Sequence, residues 1–298
     1  MSTLYVNNNG KVLPAEDFSL KSGNRGHLYG DGVFESIRIF NGQLINLNHH
    51  INRMLDGAKL LKMRIPVYFT EDFFKGKIEE LIEKSNINEG GKVRISIDRM
   101  SGGTYIPEYN EATFYIEVMP FRDKRFQLNS KGIEVDLFMD MKKQKCKLSN
   151  FKTKNGLLYI LAGLWAKEKN IDEALLQNEA QQIIESSSAN LFVVSNGVLY
   201  TPSLEEGCLA GTMRMQVINL AISNGIKVYE CSILPQNLLS ADEVFLTNAI
   251  SGITWVVGYR TKRYYNTLAH KFVELLNDYW EMALQKDPSS NLSEEPTA

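Results

Sequence analysis

Three Asn-Gly pairs, each set between runs of β-branched and aromatic residues, constrain this chain more than any other feature: YVNNNGKVLP, IRIFNGQLINL and LFVVSNGVLYTP. A two-residue type I′ turn needs positive φ at both central positions, which Asn and Gly supply at low steric cost, so each pair predicts a β-hairpin. A fourth pair, in AISNGIKVYE, follows a helical pattern and predicts a glycine helix stop ahead of a strand.

Between the turns the apolar spacing separates helices from strands. NHHINRMLDGAKLLKM places Ile51, Met54, Leu55, Ala58 and Leu61 on one helical face, and EDFFKGKIEELIEKSNI is a second amphipathic helix. GVFESIRIF, GKVRISIDRM, ATFYIEVMP and IEVDLFMD read as strands, with SGGTYIPEYNE an irregular loop. Later come helix GLLYILAGLWAKEKN, strands EALLQN, QQIIESSSANLFVV and GVLYTP, helix GTMRMQVINLAIS, strand DEVFLTNA and a long final helix LAHKFVELLNDYWEMALQ. At 298 residues the chain is long for one core, and the charged stretch FRDKRFQLNSKG interrupts the pattern. The reading is an α+β chain of two lobes: 1–119, a connector at 120–131, 132–286, and a tail at 287–298 expected to fray.

Composition excludes several classes. A net charge of −2 gives no electrostatic reason for nucleic acid or a membrane surface as partner. Cys146, Cys208 and Cys231 lack C-x-x-C spacing, and His27, His49, His50 and His270 form no H-x-x-x-H pattern, so no metal site is expected. The beginning MSTLYVNNNG shows no basic-then-apolar signal, and the apolar run LLYILAGLWA is too short to span a bilayer, so a cytoplasmic setting is the expectation. Neither G-x-G-x-x-G after a strand nor G-x-x-x-x-G-K-[ST] occurs.

Seven lysines cluster around one helix: Lys143, Lys145, Lys147, Lys152, Lys154, Lys167 and Lys169. A basic loop is normally solvated, but Lys152 follows a strand and a short loop, a place where an amine can sit at the edge of a cleft. Glu185 ends the apolar run QQIIE, where an acid is either a rim residue or a partner for a cationic ring. Gly211 and Thr212 stand at a helix start, where Thr212 is either an N-cap or part of a phosphate site built from free N–H groups. Taken together, a Schiff-base lysine, a carboxylate for a pyridinium nitrogen and a helix terminus for a phosphate are what pyridoxal 5′-phosphate requires.

Six ordered segments, YGDGVFESIRIFNG, NHHINRMLDGAKLL, FKTKNGLL, IIESSSANLFVV, GCLAGTMR and FLTNAISGITWV, make the chain resemble the class IV, fold-type IV aminotransferases from about Tyr29 to Val256. The resemblance implies a two-domain fold with a smaller N-terminal α/β lobe and a larger C-terminal lobe of barrel-like strands. It implies that Lys152 in the K-x-x-N pattern is the Schiff-base lysine and proton shuttle. By the same likeness Glu185 is the acid beside the ring nitrogen. Arg53 reaches the phosphate, Gly211, Thr212 and Met213 cradle it, and Asn248 and Ala249 close the cofactor's other side. Tyr29, Phe34 and Glu35 fall at pocket positions and Arg94 near the substrate carboxylate.

Within the family, YGDGVFE is similar to branched-chain aminotransferases, and Thr104 and Ile106 lack the Arg and His of D-amino-acid enzymes. Thr153-Lys154-Asn155-Gly156-Leu157 replaces the G-G-N-Y of branched-chain enzymes, however, and is closer to the lyase and D-amino-acid branches, as is Thr247-Asn248-Ala249. The expected activity is transfer of an amino group from an L-amino acid, branched-chain-like, to 2-oxoglutarate. The alternative is 4-amino-4-deoxychorismate lyase giving p-aminobenzoate and pyruvate. A homodimer is expected, with the loop TYIP reaching across.

Overall fold

The three hairpin turns form as their chemistry dictates. Asn9 and Gly10 have φ of 51° and 90°, Asn41 and Gly42 46° and 79°, Asn196 and Gly197 52° and 72°. The computed structural model describes residues 3–87, 90–121 and 123–286, so the expected tail at 287–298 lies outside the described residues.

The first sheet is six-stranded. Strands β1 (Tyr5–Asn8), β2 (Lys11–Pro14), β3 (Gly32–Phe40), β4 (Gln43–Leu44), β5 (Gly90–Arg99) and β6 (Ala112–Pro120) lie in the order β2-β1-β6-β5-β3-β4, with antiparallel neighbours. A short helix α1 (Arg25–Tyr29) precedes β3. Helices α2 (Leu47–Leu60) and α3 (Glu71–Lys84) cover one face. Alternation along the strands decides which side chains they meet. Ile37 and Ile39, Val93, Ile95 and Ile97, and Phe114, Ile116 and Val118 pack with Ile51, Met54, Phe74, Ile78 and Leu81 in one buried cluster. Each such side chain contributes about 1.5–3 kcal/mol when fully buried. The other face carries Phe34, Ser36 and Arg38, then Lys92, Arg94, Ser96 and Asp98, and is polar because it borders a cleft.

The second sheet holds β7 (Ile133–Leu137), β8 (Glu173–Gln177), β9 (Ile183–Ser186), β10 (Asn190–Ser195), β11 (Val198–Pro202), β12 (Val228–Cys231), β13 (Glu243–Asn248), β14 (Gly252–Tyr259) and β15 (Lys262–Arg263). Because β9 pairs with both β8 and β10, strands β10-β13-β14-β7-β8-β9 close on themselves as a six-strand barrel. Helices α4 (Leu157–Glu168), α5 (Thr212–Ser223), α6 (Pro235–Ser240) and α7 (Thr267–Lys286) pack outside it. The expected single strand QQIIESSSANLFVV is a correction: it is two antiparallel strands, β9 and β10, with Asn190 opposite Glu185. The three serines make the turn, in which the Ser186 hydroxyl accepts from Ala189 N–H at 3.0 Å. Parallel pairs β7–β8, β7–β14 and β11–β12 also make the sheet mixed and not a pure meander.

The two sheets meet at the edge of β3. Phe34 N–H donates to Lys152 O at 2.9 Å, Lys154 N–H to Gly32 O at 3.0 Å, and Val33 faces Thr153 as an antiparallel bridge. The lysine loop is thus tied to the first sheet by an isolated bridge and two main-chain hydrogen bonds.

Candidate active site

A cavity of about 680 Å³ opens where that loop meets both sheets. Its walls include Phe34, Arg53, Lys152, Glu185, Gly211, Thr212, Met213, Asn248 and Ala249, so nine sequence-selected residues converge from six separate stretches of the sequence. Tyr29 and Arg94 are not among the wall residues. Tyr29 sits outside against Tyr105, ring centroids 5.7 Å apart. Arg94 lies behind the wall, its guanidinium carbon 3.9 Å from the centre of the Phe34 ring. Glu35 alternates away from Phe34 and points into the opposite, fully buried side of β3.

The Lys152 amine hangs 4.7 Å over the Phe34 ring. Burial pulls its pKa down from 10.5 to about 8; Glu35 and Glu185 oppose that fall, while Arg53 and Arg94 add to it. About a tenth of the amine is therefore neutral at pH 7, far more than for an ordinary lysine, and this is the form that attacks a carbonyl.

Glu185, on β9, accepts from Lys143 Nζ at 2.6 Å, from the Tyr159 hydroxyl at 2.9 Å and from Leu209 N–H at 2.7 Å. Burial and the Glu185 charge push the Tyr159 phenol far above its ordinary value, which keeps it a donor to the carboxylate. Sequence reading missed Tyr159 and Lys143 as parts of this acid's setting. Leu157, the last residue of the segment that stands in place of G-G-N-Y, is 73% exposed, while Tyr159 lines the cavity from farther along α4.

At the third corner, α5 begins at Gly211, its N-cap, so the first-turn N–H groups of Thr212 and Met213 have no acceptor within the helix. Gly211 is required there because a Cβ would collide with Asn190 Oδ1. Arg53 on α2 reaches the same corner, donating to Ala210 O at 2.5 Å. Its other nitrogens hold Glu35 at 2.7 and 2.6 Å. Thr247, on the cavity wall, has a buried hydroxyl without a hydrogen-bond partner among the described residues. After it, the Asn248 side chain accepts from Ile250 and Ser251 N–H at 3.0 and 2.8 Å, and Arg38 Nη1 donates to Ile250 O at 2.6 Å. A free helix start beside an arginine, and an unspent hydroxyl, fit a bound phosphate ester. A lysine of lowered pKa and a buried carboxylate facing the same space fit a pyridine aldehyde.

The sequence model for the family described as amino-transferase class IV matches residues 32–259. This chain is a class IV aminotransferase. It is 31% identical over 249 residues, 82% of this chain and 84% of the relative, to a Methanocaldococcus jannaschii protein named for branched-chain-amino-acid aminotransferase activity. It is 29% identical over 252 residues, with the same coverage, to the D-alanine aminotransferase of Bacillus licheniformis. The crystal structure of the Thermoproteus uzoniensis branched-chain aminotransferase with norvaline superposes at a TM-score of 0.85, 25% identical, covering 97% of each chain.

The class IV aminotransferase depends on pyridoxal phosphate, which when bound supplies the electron sink for the carbanion left at the substrate Cα. The chain's own residues are arranged for the remaining tasks. Gly211, Thr212, Met213 and Arg53 would hold the phosphate. Glu185 would keep a proton on the ring nitrogen, and Lys152 would take a proton from the substrate and return it.

Proposed function

We propose that this class IV aminotransferase moves the amino group of an L-amino acid with a branched-chain-like apolar side chain to 2-oxoglutarate. The sites assigned are Lys152 as the attachment point and proton shuttle, and Glu185, Arg53, Gly211, Thr212, Met213, Asn248 and Ala249 around the cofactor. They lie in the cleft between an N-terminal lobe, residues 1–119, and a C-terminal lobe, 132–286.

The observation that carries the reading is the poise of Lys152. A lysine held near pKa 8, over an aromatic ring and within the field of two carboxylates, suits reversible imine exchange and proton transfer at one carbon. The preference for an L-amino acid rests on the loop that begins at Ser101. Its tip carries Tyr105 and Ile106, 90% and 83% exposed, and no cation. Arg25, beneath the loop, is held by Asp31 at 2.9 Å, a carboxylate it shares with Arg99 at 2.8 Å, and donates to Gly102 O and Thr104 O. Its Nε and Nη1 are committed to these partners, and it is 3% exposed.

A homodimer is part of the proposal. Leu157, Ile160, Leu161 and Leu164 form an exposed apolar stripe at i, i+3, i+4, i+7 on α4, next to the cavity-lining Leu158 and Tyr159. Covering that stripe with a second copy would also wall the cavity.

A panel of L- and D-amino donors offered to the purified protein, read as glutamate formed from 2-oxoglutarate, tests the reading. Glutamate from leucine, isoleucine and valine is expected. Transfer from D-alanine alone overturns the substrate assignment, and p-aminobenzoate plus pyruvate from aminodeoxychorismate without transamination overturns the activity.

A further inference from the structure

We propose that a second cavity, of about 120 Å³ between the start of α2 and the flank of α5, binds a small 2-hydroxycarboxylate that ties the two helices together beside the phosphate corner. The site goes beyond the transaminase reading and does not depend on which amino donor the enzyme takes.

Helices α2 and α5 already meet along a ladder. Arg53 Nη1 donates to Ala210 O at 2.5 Å, and the Thr212 hydroxyl donates to His50 Nε2 at 3.1 Å. The next step along the same face of each helix, seven residues before Arg53 and four after Thr212, brings Asn46 and Gln216. Both line the cavity, and neither side chain makes a hydrogen bond among the described residues. Gln216 is 6% exposed, with its Oε1 buried, and Asn46 Nδ2 is buried as well. Buried amides left in this way destabilise the fold unless something supplies their hydrogen bonds. The third rung of the ladder is therefore a pair of amides with a cavity between them.

Their chemistry selects the ligand. Asn46 Nδ2 asks for an acceptor and Gln216 Oε1 for a donor. The acceptor end lies at a helix start. Asn46 is the N-cap of α2, but its backbone is left-handed at φ 53° and its side chain makes no capping bond. The N–H groups of Leu47, Asn48 and His49 consequently keep no acceptor among the described residues. Such a terminus favours an anion, and the His49 ring lines the same rim. A fully ionised sulfate would answer this end but bring another acceptor to Gln216. Ser223 cannot serve Gln216 instead, because its hydroxyl donates to Asn219 O. An ammonium is disfavoured, since no carboxylate lines the cavity to balance it. A hydroxyl matches the single acceptor. The volume holds roughly four waters, which limits the ligand to a short chain. A carboxylate with its hydroxyl on the adjacent carbon is the smallest molecule with both ends.

Position gives the consequence. From Asn46, α2 runs on to His50 and Arg53, and α5 reaches Gln216 one turn after the Thr212 and Met213 N–H groups. A ligand joining Asn46 to Gln216 presses these parts of the phosphate corner together. It and pyridoxal phosphate should then raise each other's affinity by the same factor.

The test titrates the holoenzyme with glycolate, acetate and glycolamide by calorimetry, and follows cofactor release by absorbance with and without glycolate. Wild type is compared with Gln216→Leu, which removes the acceptor, and with Asn219→Trp, which plugs the cavity from an exposed position. Glycolate should bind, with acetate and glycolamide each weaker by roughly fivefold or more because each lacks one end. Both variants should lose roughly tenfold in glycolate affinity. Glycolate should slow cofactor release about threefold in wild type and in neither variant. Absence of glycolate binding, analogues equal to glycolate, or equal affinity in all three proteins, as for glycolate held at the active site, overturns the site. Binding without any effect on cofactor release overturns the coupling. Should Gln216→Leu not fold, Asn219→Trp decides alone. None of these measurements reads turnover, so a failure of the transaminase reading leaves them intact.

Discussion

The two carboxylate oxygens of Glu35 grip Arg53 side-on, Oε1 to Nε at 2.7 Å and Oε2 to Nη2 at 2.6 Å. His50 donates its Nδ1–H to the same Oε2 at 2.6 Å, and burial lowers the His50 pKa despite that neighbour, so the ring is neutral and its Nε2 accepts from the Thr212 hydroxyl at 3.1 Å. A run of hydrogen-bonded side chains thus connects the arginine at the phosphate corner with the first residue of α5. Burial alone would raise the Glu35 carboxyl, but Arg53 and His50 hold it down at about 2 from 4.5. A depressed carboxyl stabilises the fold above its unfolded pKa and loses that contribution as pH falls. The pair is therefore expected to contribute on the order of 3 kcal/mol at neutral pH, shed between about pH 4.5 and 2. Glu35→Gln should cost a similar amount in urea unfolding at pH 7, flatten the acid limb, and weaken pyridoxal phosphate binding about tenfold. An acid limb identical to wild type would show that the charge is not coupled to folding.

Lys154 and Lys152 diverge in the same loop. Lys154 crosses the polar face of the first sheet, donating to the Tyr115 hydroxyl at 2.8 Å and pairing with Asp98. Its stem passes Gly32, where a Cβ would come within 3.0 Å of Lys154 Cδ. With the two main-chain bonds to β3, this fixes the register of the segment carrying Lys152. Removing one partner of a buried pair strands the other charge, so Lys154→Met should destabilise the protein by about 3 kcal/mol. It should also speed hydrogen exchange at the Phe34 and Lys154 amides. Unchanged exchange would mean that the main-chain bonds alone hold the loop.

Lys152 titrates near 8 because burial outweighs two carboxylates. The rate of covalent capture of pyridoxal phosphate by the apoprotein should therefore rise with pH through a midpoint of about 8, following the neutral amine. Arg94 adds to the lowering. Arg94→Met is expected to move the midpoint upward, whereas Glu35→Gln, which removes an opposing charge, should move it downward. Stopped-flow absorbance across pH gives both directions, and a common shift in the two variants would contradict the electrostatic account.

Much of this site was legible because its residues sit in locally recognisable contexts. Asn-Gly turns announce their hairpins through φ, and Lys152, Glu185 and Gly211 each stand at the end of a patterned element. What escaped depends on packing between distant segments. Glu35 and Phe34 are adjacent, and only the pleat says which faces the cavity. Tyr159 joins Glu185 from a helix 26 residues away, and nothing in IIESSSANLFVV shows that the serines break it into two strands.

Gly211 offers a sharper probe of the phosphate corner. Its φ of −67° is open to any residue, so backbone strain is not the reason for glycine. The obstacle is the Asn190 side-chain oxygen, whose amide is anchored to Leu209 O at 2.8 Å. Gly211→Ala must push Asn190 aside or tilt the start of α5, and overpacking of this kind costs about 1–3 kcal/mol. Because the Thr212 and Met213 N–H groups follow directly, cofactor affinity should fall more than stability does. If the collision is the cause, trimming its partner helps: Gly211→Ala with Asn190→Ala should bind pyridoxal phosphate more tightly than Gly211→Ala alone, a coupling that a double-mutant cycle reads directly. Strictly additive losses in that cycle would place the fault in the N-cap itself and not in the contact with Asn190.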